Sequence, residues 1–245
     1  LEYFKKIKSF FIVDKWDNLG SKTAFLNKPN FLGLWGHQSL QLAKINHDFE
    51  QKNIFKIGSV RLSEKIVNFK KKKFIFKPRN EIIYLGSSSS EAIELNFLIK
   101  LNAEFLKNKL KTKIIYRIHP RADKRLISSI KQKKLKQVKI DGEKKYKNIH
   151  YIVKNSILNF STSITTVSLE SLFLKRPHYI FLDKNDYSFY SSYNHYLIAD
   201  HYKGLNNFKG IKIFFEEKKF LNHIISKVKN YLKSKNIDLI NTEKF

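Results

Sequence analysis

The fold is decided by residues 151–183, YIVKNSILNFSTSITTVSLESLFLKRPHYIFLD. The apolar run at 157–160 predicts a short buried strand, and a group of hydroxyl side chains follows it. An apolar stripe at helical spacing then predicts a helix that Pro177 ends, and residues 179–182 predict the next strand. This order of strand, polar turn, helix and strand is typical of an α/β protein with a parallel sheet.

The polar turn is a candidate anion site. Its hydroxyl side chains are Ser161, Thr162, Ser163 and Thr165. In a parallel sheet such a turn joins the carboxyl end of a strand to the N-terminus of a helix, where backbone N–H groups and the helix dipole attract phosphates. Glu170, one to two turns into the helix, could accept hydrogen bonds from a ribose. A well-capped helix in a Rossmann-like sheet that binds nothing explains the same pattern.

Composition limits the class of protein. The 245 residues are 42% hydrophobic and 14% aromatic, enough to bury a core, so a disordered polycation is excluded. The absence of Cys excludes disulfides, thiolate metal sites and a cysteine nucleophile. Because no Met is present, even at position 1, we expect the chain to be a fragment. No apolar run approaches the roughly 18–20 residues of a membrane span.

The net charge of +27 indicates an anionic partner. Lysine far outnumbers arginine and is spread along the chain, and no zinc-finger spacing, RNP-like aromatic box or GxxG clamp is present. Nucleic-acid binding is therefore disfavoured. Attraction to an anionic membrane surface is an expectation, and a general richness in Lys, Asn, Ile and Phe is the alternative explanation.

The chain divides into three parts by pattern. Residues 1–65 follow a β–loop–β–α–β order and predict the end of a preceding α/β domain. The basic stretch at 66–80 predicts a linker, and residues 81–245 predict a doubly wound, Rossmann-like domain with a closing C-terminal helix. Asp14 and Asp17 lie in the polar loop after the first strand, where they are candidates for a catalytic base or for ion pairs with nearby lysines.

Two further strand ends carry candidate ligand contacts. Gly86, Ser87 and Ser88 follow a buried strand and could hold a phosphate through backbone N–H groups, although a simple capped turn is an equal alternative. The strand at 113–118 ends in His119-Pro120-Arg121 and includes Arg117. A histidine between two arginines suits a diphosphate, because arginine forms bidentate contacts and histidine adds a donor. The alternative is a histidine that only satisfies local backbone groups.

The His-Pro motif and the Ser/Thr motif with its following Glu170, in this order, resemble the donor-binding half of GT-B glycosyltransferases of bacterial capsule and surface-polysaccharide synthesis. The similarity is to sialyl-, polysialyl- and Kdo-transferase-like families and to the related CDP-glycerol transferases, and it covers most of the chain. It implies a GT-B-like fold in which residues 1–65 end the acceptor-side domain and residues 81–245 form the nucleotide-sugar domain.

The resemblance also implies roles. His119 would contact the donor phosphate, Ser161, Thr162 and Ser163 would bind phosphate at the helix N-terminus, and Glu170 would hold the ribose or base. The implied reaction is metal-independent transfer from a CMP-linked donor to a glycan or glycolipid acceptor, without a cofactor, at the cytoplasmic face of the inner membrane. Three alternatives remain: a sugar-nucleotide epimerase, a CDP-glycerol-type polymer transferase, and a non-enzymatic basic binding module.

Overall fold

The computed structural model describes residues 7–14, 19, 25–60, 63–64, 79–87, 91–122, 124–141, 148–163, 165–182 and 210–242. The chain separates into two compact units. The smaller comprises residues 1–74 and 187–204, and the larger comprises residues 75–186 and 205–245.

The smaller unit contains a parallel sheet of three strands in the order β1-β2-β3. The strands are β1 (Phe10–Ile12), β2 (Phe31–Leu34) and β3 (Ile54–Lys56), and helix α1 (His37–His47) connects the last two. One face of the sheet buries Leu32 and Leu34 in a common cluster with Leu42 of α1. The β–loop–β–α–β order predicted for this region is confirmed for the described residues.

The larger unit contains a parallel sheet of six strands in the order β6-β5-β4-β7-β8-β9. Its strands are β4 (Glu81–Leu85), β5 (Lys113–Arg117), β6 (Val138–Asp141), β7 (Asn159–Ser161), β8 (His178–Phe181) and β9 (Ile211–Phe214). This is the doubly wound strand order, in which the chain changes direction across the sheet between β4 and β7. The predicted α/β, Rossmann-like architecture is confirmed.

Helices cover both faces of the larger sheet. They are α2 (Glu91–Lys107), α3 (Lys124–Gln132), α4 (Ile149–Lys154), α5 (Thr166–Phe173) and α6 (Glu217–Thr242). Side chains of α2, α3 and α6 share the main core cluster with one face, and Ile152 of α4 and Val167 of α5 pack on the other. Strands buried on both faces explain why the sequence shows continuous apolar runs rather than alternation.

The end of α5 corrects one detail of the prediction. The helix stops at Phe173, before Pro177 is reached. Lys175 adopts the left-handed conformation at φ 54°, and the Arg176 amide donates to the Ser171 carbonyl at 2.9 Å. The left-handed turn therefore ends the helix, because it satisfies carbonyls of the last turn.

Candidate functional site

Three neighbouring strands of the larger sheet end level with one another. Leu85 at the end of β4 is in register with Arg117 on β5 and with Ser161 on β7. The segments that follow these strands therefore leave the sheet at the same edge, on both sides of the point where the strand order reverses. Ligands of open α/β sheets bind in the crevice at such a point. The His-Pro motif and the Ser/Thr motif are thus brought to one edge.

A buried carboxylate joins these strand ends. Glu94 lies in the first turn of α2 and is fully buried. It accepts hydrogen bonds from the Ser87 amide at 3.2 Å and the Ser87 hydroxyl at 2.6 Å. It also accepts from the Tyr116 hydroxyl at 3.0 Å and the Thr162 hydroxyl at 3.1 Å. One side chain therefore fixes groups that follow β4 and β7 and a group on β5.

Two buried tyrosines complete this network. The Tyr84 and Thr162 hydroxyl oxygens lie 3.2 Å apart, and Tyr84 is in register with Tyr116. Burial, and secondly the charge of Glu94, raise the pKa of both tyrosines, so their hydroxyls remain protonated donors. Our sequence reasoning missed Glu94. The signal was present, because a tyrosine at the same place in two buried strands requires a polar partner on the covering helix.

A second polar network lies on the opposite face of β7. The His178 Nδ1 bonds to the Asn159 Oδ1, and its Nε2 lies 3.1 Å from the Ser161 hydroxyl. The Ser161 hydroxyl, which lies 2.5 Å from the Ser163 carbonyl, donates its one proton to that oxygen or to the His178 Nε2. The Ser171 hydroxyl lies 2.9 Å from the Asn159 Oδ1 and 2.6 Å from the Val167 carbonyl. Burial lowers the pKa of His178 to about 3, so the imidazole is neutral.

Counting hydroxyl protons shows which of the predicted hydroxyl groups can still donate a hydrogen bond to a ligand. A serine or threonine hydroxyl has one proton. That of Ser161 goes to the Ser163 carbonyl or to the His178 Nε2, and that of Thr162 goes to Glu94. The Ser163 hydroxyl bonds to no group in the described part of the chain. Thr165 precedes α5 and accepts from the Val167 amide at 3.3 Å, so it acts as the N-cap of this helix.

One of the two ring nitrogens of His119 makes a hydrogen bond within the protein. Its Nδ1 accepts a hydrogen bond from the Arg121 amide at 3.1 Å. Burial, and secondly the charge of Arg121, lower the pKa of His119, while Glu94 acts in the opposite direction. A neutral imidazole with this acceptor carries its proton on Nε2, which contacts no hydrogen-bonding group among the described residues. Pro120 and Arg121 are exposed beside it.

Two predicted ligand residues also make ion pairs or hydrogen bonds within the protein. Arg117 pairs with Asp141 at the end of β6. The Glu170 Oε2 lies 2.6 Å from the His150 Nε2, and both side chains are buried. His150 belongs to α4, so this contact joins α4 to α5. The sequence did not indicate either partner, because each pair depends on how separate elements pack.

The turn after β4 is closely packed. A Cβ added to Gly86 would lie 2.6 Å from the Tyr116 hydroxyl oxygen, so only glycine allows this approach. Ser87 is buried and bound to Glu94. Ser88 lies outside the described residues.

The candidate catalytic carboxylates were predicted in the loop after the first strand. Asp14 is exposed after β1 in the smaller unit, and Asp17 lies outside the described residues. Within the described ranges, no three His, Asp or Glu side chains converge as metal ligands would. No helix there is both long and apolar enough to cross a membrane.

Comparisons with known proteins agree with the fold. No protein-family model matches the chain, and no curated protein matches it in sequence. The structure of Methanocaldococcus jannaschii UDP-GlcNAc 2-epimerase in complex with UDP-GlcNAc and UDP matches with a TM-score of 0.50 at 16% identity, over 82% of this chain and 54% of that chain. A crystal structure of TarM matches with a TM-score of 0.46 at 17% identity, over 82% of this chain and 36% of that one. The strand order and the match to the epimerase agree on a GT-B-like α/β fold, and the chain spans about half the length of the epimerase.

Proposed function

We propose that the chain is the nucleotide-sugar-binding part of a bacterial glycosyltransferase that transfers a sugar from a CMP-linked donor to a surface polysaccharide or lipid-linked acceptor. One observation carries this proposal. The edge where β5, β4 and β7 end level presents the Ser163 hydroxyl and the His119 Nε2, two donors without a partner among the described residues.

These two hydrogen-bond donors are suited to a phosphate of the sugar nucleotide, because its negative charge increases as its bond to the sugar breaks. The N-terminus of α5 and the Ser163 hydroxyl would bind it from one side, and the His119 Nε2–H and the exposed Arg121 from the other. The Ser168 hydroxyl, in the first turn of α5, is buried without a partner among the described residues, which is a position for a bound water. Such stabilisation would allow transfer without a metal.

The proposal also assigns roles to Glu170 and to residues of the smaller unit. Glu170 would hold the ribose, with His150 fixing one of its carboxylate oxygens. The smaller unit would contribute to the acceptor side, where a glycan or glycolipid binds, and Asp14 or Asp17 would act as the base. CDP-glycerol-type transfer would use the same phosphate contacts with a different transferred group.

A sugar-nucleotide epimerase is the second candidate. It is favoured by the match in fold, over most of this chain, to an enzyme crystallised with UDP-GlcNAc and UDP. Incubation with UDP-GlcNAc, followed by NMR of the sugar C2 proton, distinguishes the two. Epimerisation without an added acceptor would support the second candidate, and transfer to a glycan from a CMP-sugar would support the first.

Binding of CMP, CDP, UDP and GDP, measured by calorimetry and thermal shift, tests the site itself. We expect CMP to bind to the parent protein and to bind at least about tenfold more weakly to Ser163→Ala and His119→Ala, because each loses a charge-assisted hydrogen bond. Ser234→Ala, a serine on the exposed part of α6, is the matched control. The proposal is wrong if no nucleotide binds, or if both variants bind as the parent does.

A further inference from the structure

The edge of the larger sheet opposite the candidate site carries a concentration of lysines. The C-terminal ends of α2, α3 and α5 reach this edge, because each helix leads back to the start of the next parallel strand. We call this surface the amino-edge face. Its exposed lysines are Lys109, Lys111, Lys113, Lys133, Lys134, Lys136 and Lys175.

Direct contacts join two of the lysine-bearing loops of this edge to each other and one of them to α6. The Lys113 Nζ donates to the Lys136 carbonyl at 3.1 Å, which joins the loops before β5 and β6. The Lys229 Nζ donates to the Asn108 side chain at 2.8 Å, which brings the later turns of α6 to the same place. Acidic side chains near this edge include Glu81, in register with Lys113, and Glu104, 3.9 Å from Lys107. The exposed lysines outnumber these carboxylates, so the face keeps a net positive charge.

Three of these lysines occupy strained backbone positions. Lys109, Lys134 and Lys175 follow the ends of α2, α3 and α5 at φ 52°, 47° and 54°. Glycine or asparagine is favoured there, because a larger side chain strains the left-handed conformation. A lysine in the last helical turn, at ordinary φ, would also interact favourably with the helix dipole. Neither the backbone conformation nor the helix dipole therefore explains why lysine occupies this position at three separate helix ends. These three helix ends lie at the same edge of the sheet.

We infer that the amino-edge face docks on an anionic lipid surface. Lysine is a compact point charge that suits a layer of mobile headgroups, and each lysine near such a surface adds to the attraction. The loops at 108–113 and 133–137 contain no arginine and no aromatic side chain, and Arg176, next to Lys175, donates to the Lys154 and Lys175 carbonyls. The groups that stack on and read nucleic-acid bases are therefore lacking in these two loops. The inference is independent of the proposed nucleotide site.

Vesicle sedimentation tests the inference with the full chain. We expect the protein to sediment with vesicles of phosphatidylcholine and phosphatidylglycerol at 0.1 M salt, and not with phosphatidylcholine alone or at 1 M salt. The triple variant Lys109→Asn, Lys134→Asn, Lys175→Asn should partition at least about tenfold more weakly. Its Tm should stay the same or rise, since asparagine tolerates the left-handed conformation. A loss of binding in a protein of equal or greater stability excludes misfolding.

The matched control removes the same charge elsewhere. Lys44→Asn, Lys52→Asn and Lys218→Asn change exposed lysines outside the amino-edge face, and this variant should bind vesicles nearly as the parent does. The inference is overturned if the parent fails to bind anionic vesicles, if the first variant binds as the parent does, or if the control loses as much binding. It is also overturned if the first variant loses only nucleic-acid binding and keeps its vesicle binding.

Discussion

The Thr162 hydroxyl at the end of β7 donates to the Glu94 carboxylate at 3.1 Å, across the point where the strand order reverses. The same carboxylate binds Ser87 after β4. Both walls of the proposed nucleotide crevice are therefore held by one buried side chain that the sequence places on a helix. The geometry of the site depends on this carboxylate, even though we assign it no contact with the ligand.

Glu94→Gln should destabilise the protein. The glutamine amide keeps the shape of the carboxylate but loses its charge. Its NH2 group would face hydrogen-bond donors instead of acceptors, which leaves buried donors without a partner. We expect the free energy of unfolding to fall by about 2–3 kcal/mol, measured by urea denaturation. Glu104→Gln on the same helix is the control. Glu104 makes a long 3.9 Å pair with Lys107 and accepts a long 3.4 Å hydrogen bond from the Asn108 side chain, so this change should cost less than about 0.5 kcal/mol. Equal losses would contradict the role of Glu94.

Gly86→Ala should disturb Tyr116. The new Cβ would meet the Tyr116 hydroxyl at 2.6 Å, and this ring is buried and bonded to Glu94. We expect a loss of about 1–3 kcal/mol in unfolding free energy and weaker nucleotide binding. Gly36→Ala is the control, because its Cβ would meet nothing within 4 Å. An unchanged melting curve for Gly86→Ala would refute the close packing of this turn.

His178 should make stability depend on pH. Its pKa falls from 6.5 to about 3 on burial, so the unfolded state takes up a proton first as the pH drops. The stabilisation is complete above pH 6.5 and is lost at about 1.4 kcal/mol per pH unit as the pH falls towards 3. Urea denaturation of the parent and of His178→Gln at pH 7 and pH 5 measures this. The variant should lose less stability over that interval, and an identical loss in both proteins would exclude His178 as the source.

His119 should make anion binding depend on pH. Burial and Arg121 lower its pKa in the free protein, and a bound phosphate would favour its protonated form. Affinity for CDP should therefore rise as the pH falls below 6.5. Calorimetry at pH 7.5 and 5.5 on the parent and on His119→Gln gives the comparison, since the protonation of the ligand itself affects both proteins equally. The same pH response in both would rule out a His119–phosphate contact.

Local patterns in the sequence were sufficient to predict much of the fold. The buried strands of the larger sheet and the polar turn before α5 are encoded by contiguous residues, so the doubly wound architecture could be predicted. The side-chain partners could not, because the Arg117–Asp141 and His150–Glu170 pairs depend on strand order and helix packing. The structure places the predicted hydroxyl residues at this edge, but only proton counting in the structure separates Ser163 from Ser161 and Thr162.

The pairing of β4 with β7 also bears on how the protein matures. All of β5, β6 and their helices lie between these two partners in the chain, and contacts of such long sequence separation form late because the intervening loop must first be closed. A growing polypeptide that has completed β6 has only one wall of the crevice. If the proposed site binds a nucleotide, the first binding during synthesis would therefore indicate that the second half of the sheet has packed against the first.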